Sequence, residues 1–214
     1  MSRKHLILLG GISFFIFGLL AWSISSKIFI YSSIVSFDNA IQAFSQSHIS
    51  KTAGQTMILF TSLADEQTIF LFLIAASLLF ILVHDRAVAW LLIAGSAVGA
   101  GFSTLIKNLL LRPRPTGTFF DIAHRGFAYP SGHALMATIF YGFLGYALFH
   151  SVKNRKLKVI IALLTVLTVF CIGYSRVYLG VHWASDVIGG WLLGSIILII
   201  LILVFRHIHK KVKR

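Results

Sequence analysis

Six runs of this chain carry no Asp, Glu, Lys or Arg over 17 residues or more: Leu6–Ser26, Gln67–His84, Ala87–Ile106, Gly126–Val152, Val159–Ser175 and Val187–Phe205. A helix that crosses a bilayer needs about 17–25 mostly apolar residues, so each run is long enough to span. Hydrocarbon offers no partner to a free backbone N–H or C=O. Each run must therefore close its own hydrogen bonds as an α-helix, and open strands are excluded. The fourth run is longer than a span requires; Pro130 and Gly132 mark its residues up to Pro130 as loop. Two shorter apolar pieces, Ile28–Phe37 and Thr52–Ala64, cannot cross and are expected as interfacial or partly re-entrant helices between the first two spans.

The fold expected is all-α: an integral membrane bundle of six transmembrane helices, forming a single domain over residues 1–214. With 57% hydrophobic residues the chain cannot be disordered, and 12% charged residues is about half the share of an ordinary soluble domain. The first apolar run is 21 residues long, beyond the roughly 7–15 of a signal-peptide core, so it reads as a retained helix. Cys171 is the single cysteine, which rules out an intramolecular disulfide and a cysteine-based metal site.

The net charge of +13 invites a nucleic-acid reading, but the placement of the charges argues against it. Of 19 Lys and Arg, twelve fall on one side of the six spans: Arg3, Lys4, Arg86, the four between 153 and 158, and the five from Arg206 to Arg214. The positive-inside rule puts that side, with the N- and C-termini, in the cytoplasm. The basic tail is thus a topology anchor at anionic lipid, and no nucleic acid is expected as a partner. His207 and His209 belong to that tail, and an isolated His-x-His is too little to bind a metal.

Five cations break the trend. Lys107, Arg112, Arg114, Arg125 and Arg176 lie at the outer ends of the third and fifth spans or in the loop between the third and fourth. Positive charge where orientation does not require it points to an anionic ligand at the outer surface. Anchoring to lipid headgroups is the other reading, above all for Arg112 and Arg125. The same face carries His133, His182 and Asp186. His182 and Asp186 are spaced i, i+4 and would share one face of a helix. Such a carboxylate fixes the imidazole tautomer and leaves the other ring nitrogen as a nucleophile, although His182 alone could equally cap a helix end. Pro130-Ser131-Gly132-His133 reads as a tight turn into a helix, where Gly132 admits close approach and free N–H groups favour an anion.

Taken together, three segments form a recognisable pattern. Six residues separate Lys107 from Arg114-Pro115; Pro130-Ser131-Gly132-His133 follows; then five residues separate Ser175-Arg176 from His182, and three separate His182 from Asp186. This resembles the three-part signature of the type 2 phosphatidic acid phosphatases, the lipid phosphate phosphatase family. Length, layout and the paired Arg-Pro further resemble the bacterial phosphatidylglycerophosphate phosphatases of the B type.

The resemblance implies an active-site core shared with vanadium haloperoxidases, working without metal or other cofactor. By motif position, Lys107, Arg114 and Arg176 would hold the phosphoryl oxygens, helped by Ser131 and the Gly132 backbone. His182, oriented by Asp186, would attack phosphorus in line to give a phosphohistidine, and His133 would protonate the departing alkoxide and then activate water. Phosphoryl transfer is mostly positioning and neutralisation of oxygen charge, which three fixed cations can supply. The acids of this face, Asp38, Asp65, Glu66, Asp121 and Asp186, form no cluster suited to Mg²⁺. Asp121, His124, Arg125 and Tyr129 would either shape headgroup selection or be ordinary loop residues.

The substrate implied is a lipid phosphate monoester, phosphatidylglycerophosphate foremost, arriving laterally from the bilayer and hydrolysed at the extracytoplasmic face. Undecaprenyl pyrophosphate and phosphatidate are the nearest alternatives. A vanadate-dependent peroxidase and an anion channel or transporter are the rivals from other classes. The oligomeric state stays open.

Overall fold

The structure is a computed structural model that describes residues 2–116, 120 and 126–212, and every regular element in it is a helix. In chain order these are α1 (Arg3–Ser26), α2 (Tyr31–Ser47), α3 (Lys51–Ser62), α4 (Glu66–Leu82), α5 (Arg86–Leu110), α6 (Gly132–Ser151), α7 (Arg155–Tyr178) and α8 (Ala184–Val212). Local chemistry starts several of them. The side chains of Ser2, Asp85 and Asn154 accept hydrogen bonds from first-turn N–H groups of α1, α5 and α7, satisfying donors that a helix start leaves free.

Helices α1, α5, α6, α7 and α8 are each long and apolar enough to cross a membrane. The expected second span differs from a straight run. Helix α4 has 17 residues and meets α3 at a 49° bend, and only the bent pair together has the length of a sixth span. The bend falls where polar Ser62, Asp65 and Glu66 interrupt the apolar sequence and extended backbone at Asp65 restarts the helix.

Helix α2 also departs from expectation, running ten residues past Phe37. Its buried residues are Ile34, Asp38, Gln42 and Ser45, a helical stripe that is mostly polar. An apolar run therefore ends at Asp38 while the helix continues, because the partner that lets this carboxylate be buried lies far along the chain.

Helix α6 sits centrally among α5, α7 and α8. Small residues let α8 approach it: a Cβ at Gly190 would stand 2.6 Å from the Ser131 carbonyl oxygen, and one at Gly194 2.6 Å from Thr138 Cβ. Close backbone approach of this kind is how helices pack in lipid, where apolar surface gains nothing by leaving its solvent. Helix α1 lies along α8, with Gly10 facing Ile199 and Phe17 stacked on Tyr129 at 5.8 Å between centroids. Large apolar side chains such as Phe14, Phe15, Leu71, Leu163 and Val166 point outward, as suits lipid-facing surface.

The two ends of the bundle are chemically distinct. At one, His209 Nε2 meets Asp85 Oδ2 at 3.1 Å and Arg206 Nε donates to Tyr146 Oη at 2.8 Å, so His209 of the His-x-His pair ties α8 to the α4–α5 turn. The other end gathers the last turns of α5 and α7, the first turns of α6 and α8, and the α3–α4 bend.

Candidate active site

The site begins with the way α5 ends. Leu111 adopts a left-handed conformation (φ 50°) and its N–H closes on the Lys107 carbonyl, which turns the chain so that Arg112 enters the protein. Arg112 is 8% exposed. Its Nη1 donates to Asp186 Oδ1 at 2.5 Å and to Ser185 Oγ at 2.7 Å, and its Nη2 donates to Asp38 Oδ2 at 2.6 Å. The Ser185 N–H completes the set by donating to Asp38 Oδ1 at 2.8 Å. Burying charges costs several kcal/mol per ion, about the scale of a whole domain's stability margin, unless they are paired and fully hydrogen-bonded. Here all four carboxylate oxygens accept a hydrogen bond. Burial opposes the Arg112 charge, yet Asp186 and Asp38 outweigh it and push the guanidinium further up. Arg112 is thus no headgroup anchor but the clamp behind Asp186.

His182 and Asp186 meet, although not on one helix face as the spacing suggested. Helix α8 starts at Ala184, so His182 lies in the preceding turn and reaches back to Asp186 in the first helical turn. Asp186 Oδ2 accepts the Trp183 N–H at 2.9 Å, as a carboxylate at the third helical position does when it caps its own helix. The same oxygen lies 3.3 Å from His182 Nδ1. On the far side of the ring, His182 Nε2 stands 3.0 Å from Arg114 Nη1. A guanidinium can only donate, so Nε2 must carry the lone pair and Nδ1 the hydrogen, directed at Asp186. Burial first, and then Arg114, Arg176 and Lys107, push the His182 imidazole well below its ordinary range. It therefore stays neutral, with the Nε2 lone pair turned to Arg114.

Arg114 is held by the carbonyls of Gly126, through Nε at 3.0 Å, and Val181, through Nη1 at 2.8 Å. Arg176, 4% exposed, donates from Nη1 to Thr61 Oγ1 at 2.5 Å, and its Nε has no partner. Lys107 Nζ comes within 3.9 Å of where a Gly132 Cβ would be, so the ammonium stands at the N-terminus of α6. Lys107, Arg114 and Arg176 are close enough to repel one another. Ser131 precedes α6 without capping it, and its buried Oγ has no partner. The Ser131 N–H donates to the Asp186 carbonyl at 2.9 Å, which locks the starts of α6 and α8 together. Three mutually repelling cations beside an uncapped helix N-terminus are surroundings that favour an anion.

His133, in the first turn of α6, meets a partner that motif spacing did not reveal: its Nε2 lies 2.9 Å from Asp65 Oδ1, at the α3–α4 bend.

Lys107, Arg114, Ser131, Gly132, His133, Arg176, His182 and Asp186 thus gather at one end of the bundle. Tyr129 does not serve as a headgroup contact. Its ring is fully buried between Phe17 and Gly189, and burial pushes its phenol up. Asp121, His124 and Arg125 lie outside the described residues. Sequence reasoning missed the roles of Arg112, Asp38, Thr61 and Asp65. A signal existed for Asp38, a lone acid in an apolar stretch, since an ionisable residue at membrane depth normally has a partner. Among the described residues no three His, Cys, Asp or Glu side chains converge so as to hold a metal ion.

Comparison with known proteins bears on the family and the fold. The family model of the PAP2 superfamily matches residues 88–210. Phosphatidylglycerophosphatase B of Bacillus subtilis is 36% identical over 115 residues, covering 51% of this chain and 52% of that protein. Undecaprenyl-diphosphatase of Sulfolobus acidocaldarius is 39% identical over 94 residues, covering 44% of this chain and 37% of that protein. The chain thus spans about half the length of these curated relatives or less. The crystal structure of a transmembrane PAP2 type phosphatidylglycerolphosphate phosphatase from Bacillus subtilis superposes with a TM-score of 0.83 at 23% identity, covering 96% of this chain and 98% of that one, a likeness of fold.

Proposed function

Since the chain belongs to the PAP2 superfamily and is built from membrane-spanning helices, we propose that it hydrolyses a lipid phosphate monoester without a metal ion, phosphatidylglycerophosphate being the first candidate. The observation that carries this reading is the state of His182, a buried imidazole whose unprotonated Nε2 faces the cation cluster while Asp186 holds Nδ1.

In the reaction, Lys107, Arg114, Arg176 and the α6 N-terminus with Ser131 and Gly132 take the phosphoryl oxygens. Arg114 gives up Nε2 for an oxygen as the substrate enters. The Nε2 lone pair bonds to phosphorus, the bond to the lipid oxygen breaks, and His133 supplies that oxygen with a proton. Asp186, kept ionised by Arg112, balances the positive charge that develops on His182. Neutral His133 then takes a proton from water, whose oxygen displaces Nε2 and releases phosphate. Fixed cations stabilise charge in a dry site far better than they would in water. The same site could act on polyprenyl pyrophosphate, a reading favoured by the 39% identity to undecaprenyl-diphosphatase.

Phosphate release by the purified chain from phosphatidylglycerophosphate, phosphatidate and undecaprenyl pyrophosphate in detergent tests both readings. Activity is expected to survive EDTA and to be inhibited by vanadate, which adopts the five-coordinate geometry of the phosphoryl group in transfer. Loss in EDTA with recovery on adding Mg²⁺ would refute the metal-free mechanism, and no release from any of the three would refute a lipid phosphatase.

We place the reaction at the extracytoplasmic face because Lys and Arg are concentrated at the opposite end of the spans. Thr116 and Asn154 are both exposed and belong to opposite ends. In a Cys171→Ala background, an impermeant thiol reagent on intact cells should label Thr116→Cys and spare Asn154→Cys. The reverse pattern would put the chemistry in the cytoplasm.

A further inference from the structure

We propose that Asp65 is the positioning residue of His133, a carboxylate that orients the leaving-group acid as Asp186 orients the nucleophile, delivered by the bend between α3 and α4. The inference rests on the phosphatase reading above and assigns a role to a part of the chain outside the three motif segments.

Asp65 occupies the N-cap position of α4, where an aspartate ordinarily accepts a hydrogen bond from a first-turn N–H. It makes no such bond. Its Oδ1 instead meets His133 Nε2 at 2.9 Å. The bend that carries it is fixed on both sides, since Tyr141 Oη of α6 donates to the Leu63 carbonyl at 2.7 Å and Arg176 of α7 holds Thr61. A shift of the bend would thus disturb an oxyanion ligand and the acid together. The Asp65 side chain is 51% exposed against 21% for His133, so the carboxylate also links the imidazole to water.

Chemically, His133 has to be an imidazolium when the lipid oxygen departs and an imidazole when water attacks. A carboxylate on Nε2 favours the imidazolium and orients its ring, leaving Nδ1 to face the leaving oxygen. In the first step the Nδ1 proton passes to the lipid oxygen, which keeps the electron pair of the broken P–O bond. In the second, Nδ1 takes a proton from water as the P–N bond breaks and its electrons return to His182 Nε2. Asp65 stays a carboxylate throughout and touches no reacting atom.

The test exploits the fact that only a poor leaving group needs the acid. Asp65→Asn and Asp65→Ser both keep a good N-cap residue, so the start of α4 is preserved in either, and the second serves if the first does not fold. Wild type and variants are assayed in detergent on short-chain phosphatidylglycerophosphate, whose leaving alkoxide needs a proton, and on p-nitrophenyl phosphate, whose phenolate does not. General acid catalysis contributes about 10²–10⁴-fold, and loss of its orienting partner is expected to remove about 10–100-fold of kcat on the lipid. The loss on the lipid should exceed the loss on the aryl phosphate at least tenfold, KM should change little, and Asp65→Glu should recover part of the lipid rate. Equal losses on both substrates would make Asp65 merely structural, and no loss on either would make it dispensable; each result overturns the proposal. A wild-type chain inactive on both substrates would instead overturn the phosphatase reading itself.

Discussion

His182→Ala is expected to form no phosphoenzyme with any substrate, because it removes the only nitrogen that the arrangement of Asp186 and Arg114 leaves as a nucleophile. His133→Ala should behave differently. General acid catalysis contributes about 10²–10⁴-fold, so turnover of a lipid phosphate should fall by that order while the covalent step stays possible for a leaving group that needs no proton. With a radiolabelled activated phosphate and rapid acid-free quenching, acid-labile label should accumulate in His133→Ala and be absent in His182→Ala. Asp186→Asn should lie between the two, since the amide keeps a polar contact but cannot balance an imidazolium. Label in His182→Ala and none in His133→Ala would exchange the two roles.

The second large effect is on stability. Arg112→Met leaves Asp38 and Asp186, both essentially without solvent contact, as buried carboxylates with no guanidinium between them. Removing one partner of a buried ion pair costs about 3–5 kcal/mol. For a chain of this size that corresponds to a fall in melting temperature of roughly 6–20 °C, read by thermal unfolding in detergent. Adding Asp38→Leu to Arg112→Met should recover part of the loss, because one of the two stranded charges is then gone. Strictly additive destabilisation by the two substitutions would mean that Asp38 and Arg112 are not coupled. Arg112→Lys should rescue poorly, since a single ammonium cannot reproduce the fork that reaches both carboxylates and Ser185 at once.

The helices were legible in the sequence for a physical reason. In hydrocarbon each backbone group must be satisfied within its own segment, so an uncharged run of sufficient length already states its structure, and charge-free runs cover most of α1 and of α4 to α8. Alternation of the spans then brings the ends of α5 and α7 and the starts of α6 and α8 to one side, which is why Lys107, Arg114, His133, Arg176, His182 and Asp186 group together from the sequence. Departures occur where that local rule stops applying. The α3–α4 bend joins two apolar pieces that each look separate, and α2 continues past Asp38 because its buried stripe is polar. Tyr129 precedes the motif turn and reads as a loop aromatic, yet packing of α1 and α8 closes over it.

Charge pairing in space is the part with no trace along the chain. Asp38 and Arg112 are 74 residues apart, Asp65 and His133 are 68 apart, and Thr61 and Arg176 are 115 apart. Hydrophobic periodicity repeats every few residues and helical spacing ties neighbours at i, i+4, so both leave a pattern that can be read. An ion pair depends only on distance and on the exclusion of water, whatever the separation in sequence. The helices and the residue types of the site therefore follow from local hydrogen bonding and motif spacing. That Asp65 stands behind His133, and that Arg112 and Asp38 stand behind Asp186, follows only from how the bundle closes, because closure alone brings those charges within reach and strips them of water.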